Sequence, residues 1–165
     1  IVEPPRRSRE SPSTYAVRLA RLKAREVSGR HRSGLILSAD TIVVLGNDIL
    51  GKPETPAEAR SMIRRLSGRW HDVITGICLL DCAQNRIRST FSRTRVHFRR
   101  LSDAEIKWYL KTGEYRDKAG AYGIQGYASI FIDRIEGCYF NIVGFPISAF
   151  ENLCRRSGIS LTREI

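Results

Sequence analysis

Cysteine chemistry is sparse in this sequence: Cys78, Cys82, Cys138 and Cys154 form no Cys-x-x-Cys pair, and no pair of histidines stands nearby at zinc-ligand spacing. The four read as reduced core residues, and neither a zinc module nor a disulfide-stapled scaffold is expected. Long hydrophobic runs are missing too. No apolar stretch approaches the roughly 18 to 20 residues of a bilayer-spanning helix, and nothing resembles a secretory leader, so a soluble, cytoplasmic protein without a membrane partner is the expectation. Acidic residues are the minority charge, 17 against 28 lysines and arginines, for a formal net charge of +11. That excess attracts anions without choosing between nucleic acid, free nucleotide and a solvated arginine-rich surface. Zinc-finger spacing, an aromatic RNA-recognition motif and a concentrated basic helix are all absent, which argues against a nucleic-acid-binding module. The chain opens on Ile1 rather than methionine and reads as a fragment or a processed product.

What is present fits one domain. The 165 residues are 42% hydrophobic, enough for a core that needs no covalent staples. Ser11 or Ser13 caps a helix whose apolar positions run from Tyr15 to Val27 before Gly29 ends it. Leu35 to Ala39 reads as a buried strand that resumes at Ile42 to Leu45 after the polar pair Asp40-Thr41, and Gly46-Asn47-Asp48 supplies a turn. Thr55 with Glu58 forms a capping box, with Pro56 at the first helical position and Gly68 closing the helix. Trp70 to Leu80 and Arg86 to Phe98 predict two long strands joined as a hairpin. Ser102 with Glu105 opens a further capped helix that Gly113 stops. A glycine-rich stretch, Lys118 to Gly126, precedes strand signals from Ser129 to Ile135, and Pro146 to Arg156 reads as a last helix. Strands interleaved with helices give an α/β fold with a mixed sheet.

Three segments carry chemical interest. Asp40 lies where a buried strand is expected to break, and a desolvated carboxylate there needs a partner. A divalent metal or a polarised water would serve; so would a turn cap or an arginine. Gly51-Lys52-Pro53 sets a lysine between two turn-formers, suited to a phosphate or simply to a surface turn. In Asp117 to Gly126, small residues alternate with Lys118, Tyr122 and Gln125. Backbone amides there could meet an anion while Gln125 offers a donor and an acceptor to a base edge; an unliganded mobile turn would have the same composition. Of the histidines, His31 falls in a polar turn, His97 in a strand, and His71 reads as shaping the sheet.

Taken in order, Ser38 to Val44, Gly51-Lys52-Pro53, Leu66 to Gly76, Asp117 to Gly126 and Asn141 to Pro146 resemble the successive motifs of the Maf family of nucleoside triphosphate pyrophosphatases. The resemblance spans essentially the whole chain, 1–165. It implies an elongated, twisted mixed sheet flanked by helices, with a nucleotide cleft between two lobes. It implies a general base at Asp40, a second carboxylate at Glu3, and Mg²⁺ or Mn²⁺ held by both. It places Lys23, Lys52 and Lys118 at the substrate, Thr41 beside the catalytic aspartate and Gln125 at the base. The Gly-Ala-Tyr-Gly-Ile-Gln-Gly form of the late motif resembles the branch that prefers dTTP and UTP, so turnover of these ahead of GTP and ATP is expected. A homodimer is the family-based expectation.

The likeness breaks at the start. Family members open with a strand and a Ser-x-Ser-Pro-Arg-Arg loop that grips phosphates; here two residues precede Glu3, and Arg6-Arg7 follow it. The chain is therefore expected to lack that segment, and with it a phosphate clamp, while Arg6-Arg7 reads as a solvated basic loop. The departure keeps a rival in view, a non-catalytic homologue acting through protein contacts in septum formation or cell division.

Overall fold

β-branched and aromatic side chains in the middle of the chain build the sheet on which everything else is mounted. The computed structural model describes residues 3–162. Its strands are β1 (Leu35–Leu45), β2 (Asp48–Leu50), β3 (Trp70–Asp81), β4 (Arg86–Phe98) and β5 (Ile132–Glu136), in the order β2-β1-β3-β4-β5. The ladders among the described residues are all antiparallel. The mixture in this α/β fold is thus of helix with strand, not of strand direction. The helices are α1 (Pro12–Ser28), α2 (Pro56–Leu66), α3 (Asp103–Thr112), α4 (Tyr139–Val143) and α5 (Ile147–Arg155).

Local signals explain the helix ends. Ser11 caps α1 by accepting from Thr14 N, and Thr55 caps α2 by accepting from Glu58 N. Glu58 then accepts from Glu54 N at 2.8 Å, one residue short of a reciprocal box. In α3 the box is complete between Ser102 and Glu105, and Gly113 ends the helix at φ 71°, the left-handed conformation glycine adopts without a Cβ penalty.

Four segments differ from the expectation. β1 does not break at Asp40-Thr41: the ladder runs on, pairing Asp40 with Gly76 and Thr41 with Thr75. Alternation sends the two side chains to opposite faces while the backbone stays hydrogen-bonded. The strand expected from Ser129 begins only at Ile132, because Tyr127–Phe131 is a 3₁₀ turn. Glu114 accounts for this, accepting from Tyr127 N at 2.6 Å and Ala128 N at 3.3 Å and so capping a turn where strand propensity alone predicted extension. β2 and α4 are short additions that the sequence pattern did not announce.

One face of the sheet is covered by α1. That helix turns a narrow stripe of Ala16, Ala20 and Ala24 inward, with Leu19 also buried. Ile42, Val44 and Ile74 meet Ala16, while Cys78 and Leu80 meet Ala20 and Ala24. Ser38 donates to Ala20 O at 2.6 Å. The fit depends on Gly76, where a Cβ would collide with the backbone of Ala16 and Val17. On the opposite face the main core gathers Val43, Val73, Val96 and Phe98 under Ile63, Leu66, Tyr109 and Phe131. There Ile77 and Leu79 pack on Leu153 and Cys154 of α5.

Since backbone cannot rotate out of the way, Gly76→Ala should force α1 off the sheet at about 1 to 3 kcal/mol, the usual overpacking cost. Urea unfolding checks this, and an unchanged midpoint would mean that helix and strand do not depend on the contact.

Candidate active site

Asp40 projects from β1 toward α1, and there Lys23, three turns into the helix, meets it. The ammonium is in direct contact with Asp40 Oδ1, and its Nζ lies 2.8 Å from Glu3 Oε1. Asp40's side chain is 6% exposed, Lys23's 32% and Glu3's 48%, so the trio runs from the sheet surface out to solvent. Burial pushes the Asp40 carboxyl above its ordinary range, against the lowering influence of Lys23 and Lys52. Lys23 is lowered by burial, but its two carboxylate partners outweigh that and hold its pKa above the usual lysine value.

The segment bearing Glu3 is fastened to α1 by side chains that sequence reasoning passed over. Tyr15 donates to Pro4 O at 3.2 Å and Arg18 to Pro5 O at 3.0 Å. Arg18 also grips Glu10 through two bonds of 2.7 and 2.8 Å, and this guanidinium holds the Glu10 carboxyl down at about 2. The sequence signal for them was faint: Tyr15 and Arg18 stand three apart on one face of α1. Arg6 reaches only Asn47 O, at 3.3 Å.

A cleft of about 570 Å³ is walled by Glu3, Tyr15, Lys23, Asp40, Gly51 and Lys52, with Ala119 at its far side. Gly120 N donates to Gly51 O at 3.0 Å, which ties the glycine-rich loop to the Lys52 turn. Gly120 itself has φ 67° and lies against Val43, so neither its conformation nor its space admits another residue easily.

The structure thus gathers Asp40, Glu3, Lys23 and Lys52 at one cleft. Thr41 borders it too, but its hydroxyl lies on the other face of the sheet, 2.8 Å from Thr75 Oγ1 and 3.4 Å from Gly144 O. Lys118 and Gln125, both exposed, line a second cleft of about 350 Å³ with Glu114, Tyr122, Ile142 and Val143. The glycine-rich loop contributes to both clefts, with Ala119 at the first and its neighbour Lys118 at the second. Glu114 was missed by sequence reading; its only signal was a carboxylate next to a glycine-rich loop. A Cβ on Gly126 would occupy the Glu114 carboxylate.

Behind the second cleft, the loop is pinned to the sheet. His71 Nε2 lies 2.7 Å from Tyr122 Oη, and both rings pack edge-on against Phe98. The expectation that His71 shapes the sheet agrees with this position. Asn141, fully buried, donates to Val73 O and Thr94 Oγ1, and Thr75 donates to Asn141 O. The late motif is thereby anchored to β3 and β4.

Two carboxylates converging within reach of one cation fit a divalent metal of the kind that takes one or two protein carboxylates and completes its sphere with water and substrate phosphates. No group of three or more His, Cys, Asp or Glu side chains gathers among the described residues, which matches such a sparse donor set better than an all-protein cage. No helix among the described residues is long and apolar enough to cross a membrane.

The class is thus an α/β protein with an acidic pair and two lysines at one cleft and a glycine-rich loop that contributes to this cleft and to a second. This chain belongs to the Maf family, whose family model, described as Maf-like protein, matches residues 1–157. A relative from Syntrophomonas wolfei, named dTTP/UTP pyrophosphatase, is 48% identical over 154 residues, covering 93% of this chain and 82% of the relative. Proteins of the same name from Pyrococcus abyssi and Clostridioides difficile are 47% and 46% identical, over 91% and 89% of this chain and 79% and 76% of their own lengths. The family resemblance of the motifs is borne out.

Burial also depresses the His71 imidazole, from an ordinary 6.5 to about 4. The folded state disfavours its proton, so this contribution to stability is full above pH 6.5 and drains away as pH falls toward 4. It amounts to roughly 3 kcal/mol. Thermal unfolding across that window should show a steeper acid loss for the parent than for His71→Gln, and parallel profiles would refute the assignment.

Proposed function

We propose that this protein hydrolyses dTTP and UTP to the nucleoside monophosphate and pyrophosphate, a reading carried by the buried Asp40 carboxylate in contact with Lys23 in a cleft that Lys52 also lines. The triphosphate would lie along the first cleft, its negative charge facing Lys23 and Lys52. The base would enter the second, where Gln125 and the backbone beside it offer hydrogen bonds and Lys118 flanks the opening. The names of the relatives support pyrimidine nucleotides as the substrate class.

Asp40 accepts a proton from water as the water oxygen bonds to the α-phosphorus; the α–β anhydride bond breaks and pyrophosphate leaves with the bonding electrons. Glu3 and Asp40 would hold the Mg²⁺ or Mn²⁺, which when bound supplies charge neutralisation to the phosphates. Lys52, which makes no ion pair among the described residues, is free to meet the departing pyrophosphate. A homodimer and a cytoplasmic setting belong to the same reading.

Pyrophosphate release from dTTP, UTP, CTP, GTP and ATP tests it. Turnover should favour dTTP and UTP, and Asp40→Asn should lower it by about 10² to 10⁴ with the circular dichroism spectrum unchanged. A clear purine preference would overturn the substrate class, and full activity in Asp40→Asn would remove that residue from the chemistry.

A further inference from the structure

We propose that Lys23 is a built-in counter-ion: it holds Glu3 and Asp40 while the cleft is empty, and the arriving polyphosphate draws it off, opening the carboxylate pair to the divalent metal. The inference rests on reading the cleft as a nucleotide site, and it adds an order of events that this reading does not contain.

The geometry sets two cations in competition. Lys23 Nζ touches Asp40 Oδ1 and lies 2.8 Å from Glu3 Oε1, so it occupies both carboxylates that would hold a metal. A metal and an ammonium at bonding distance from the same oxygens repel one another. Asp40, 6% exposed, has Lys23 as its ion-pair partner among the described residues. A carboxylate so desolvated requires a counter-charge at all times. In the empty cleft the lysine meets that requirement, and after exchange the metal does.

Lys23 is able to leave. Its side chain is 32% exposed, and a four-carbon stem lets the ammonium turn from α1 toward the open cleft, where the phosphates would lie beside Lys52. Glu3 stays behind, because its segment is fastened separately through Tyr15 to Pro4 and Arg18 to Pro5. Nucleotide and metal therefore favour each other's binding through one displaced charge, and this coupling is reciprocal. Metal alone would bind poorly, so Glu3 and Asp40 would hold it chiefly when a polyphosphate is there to draw Lys23 away.

The test is Mn²⁺ binding without nucleotide, read from the paramagnetic resonance of free Mn²⁺ at about pH 8, where exposed carboxylates are ionised. Removing the competitor in Lys23→Met should tighten Mn²⁺ by about tenfold or more, within the usual range of coupling between sites. Lys23→Arg should bind it as weakly as the parent. Lys23→Gln serves in place of the methionine variant if that one fails to fold, as judged by circular dichroism. Equal or weaker Mn²⁺ binding in the folded neutral variants would overturn the proposal. Binding of an unhydrolysable UTP analogue to the parent is measured alongside. A parent that ignores the analogue sinks the nucleotide reading itself, whereas a parent that binds it while the neutral variants gain no Mn²⁺ affinity sinks only the role of Lys23.

Discussion

The close approach of α1 to Gly76 is the constraint on which the rest of the structure depends. Gly76 is the ladder partner of Asp40, so the one position on β3 with no side chain lies beside the one buried carboxylate on β1. The missing Cβ lets the backbone of Ala16 and Val17 settle on the sheet. Two turns further along the same helix, Lys23 arrives at Asp40. The alanines of α1 belong to this arrangement, since larger residues would hold the helix off and carry the lysine with it. Packing and electrostatics are thus set by the same contact.

On the opposite face the polar residues are linked rather than scattered. Thr41, Thr75, Asn141 and Thr94 form a continuous hydrogen-bonded chain through the sheet, and Thr94 exchanges bonds with the backbone of Cys138. Buried polar groups are costly unless paired. Here they are paired with the 138–144 turn, so that turn is fixed relative to β1. Among the described residues Asn141 Oδ1 has no hydrogen-bond partner, nor do His71 Nδ1 and Arg88 Nε. Because Thr41 follows Asp40 directly, the two neighbours serve different faces: one carries charge to the cleft, the other bonds to the backbone beside Val143 at the second cleft.

Much of this was legible in the sequence, for reasons that differ by element. The Thr55 cap, the Ser102 capping box, the glycine stops and the β3–β4 hairpin are local, and local chemistry decided them. Asp40, Lys52 and the glycine-rich loop stood out because charge and glycine are unusual among apolar strands. Lys23 and Glu3 were recoverable only through the family resemblance, since nothing in their own neighbourhoods distinguishes them from surface residues. The strand at Ser129 was misjudged because the bonds that bend Tyr127–Phe131 come from Glu114, on a different segment. The continuity of β1 was missed for the complementary reason: a polar pair looks like a break until the face each side chain occupies is known.

Glu114 and Gly126 bear on how this loop can change over time. A side chain at residue 126 needs the volume that the Glu114 carboxylate fills, and shortening Glu114 leaves the amides of Tyr127 and Ala128 without acceptors. Neither position therefore has a neutral first step. A change at either residue is thus tied to a change at the other: a side chain at 126 asks for a shorter residue at 114, and a shorter residue at 114 asks for another acceptor for the turn.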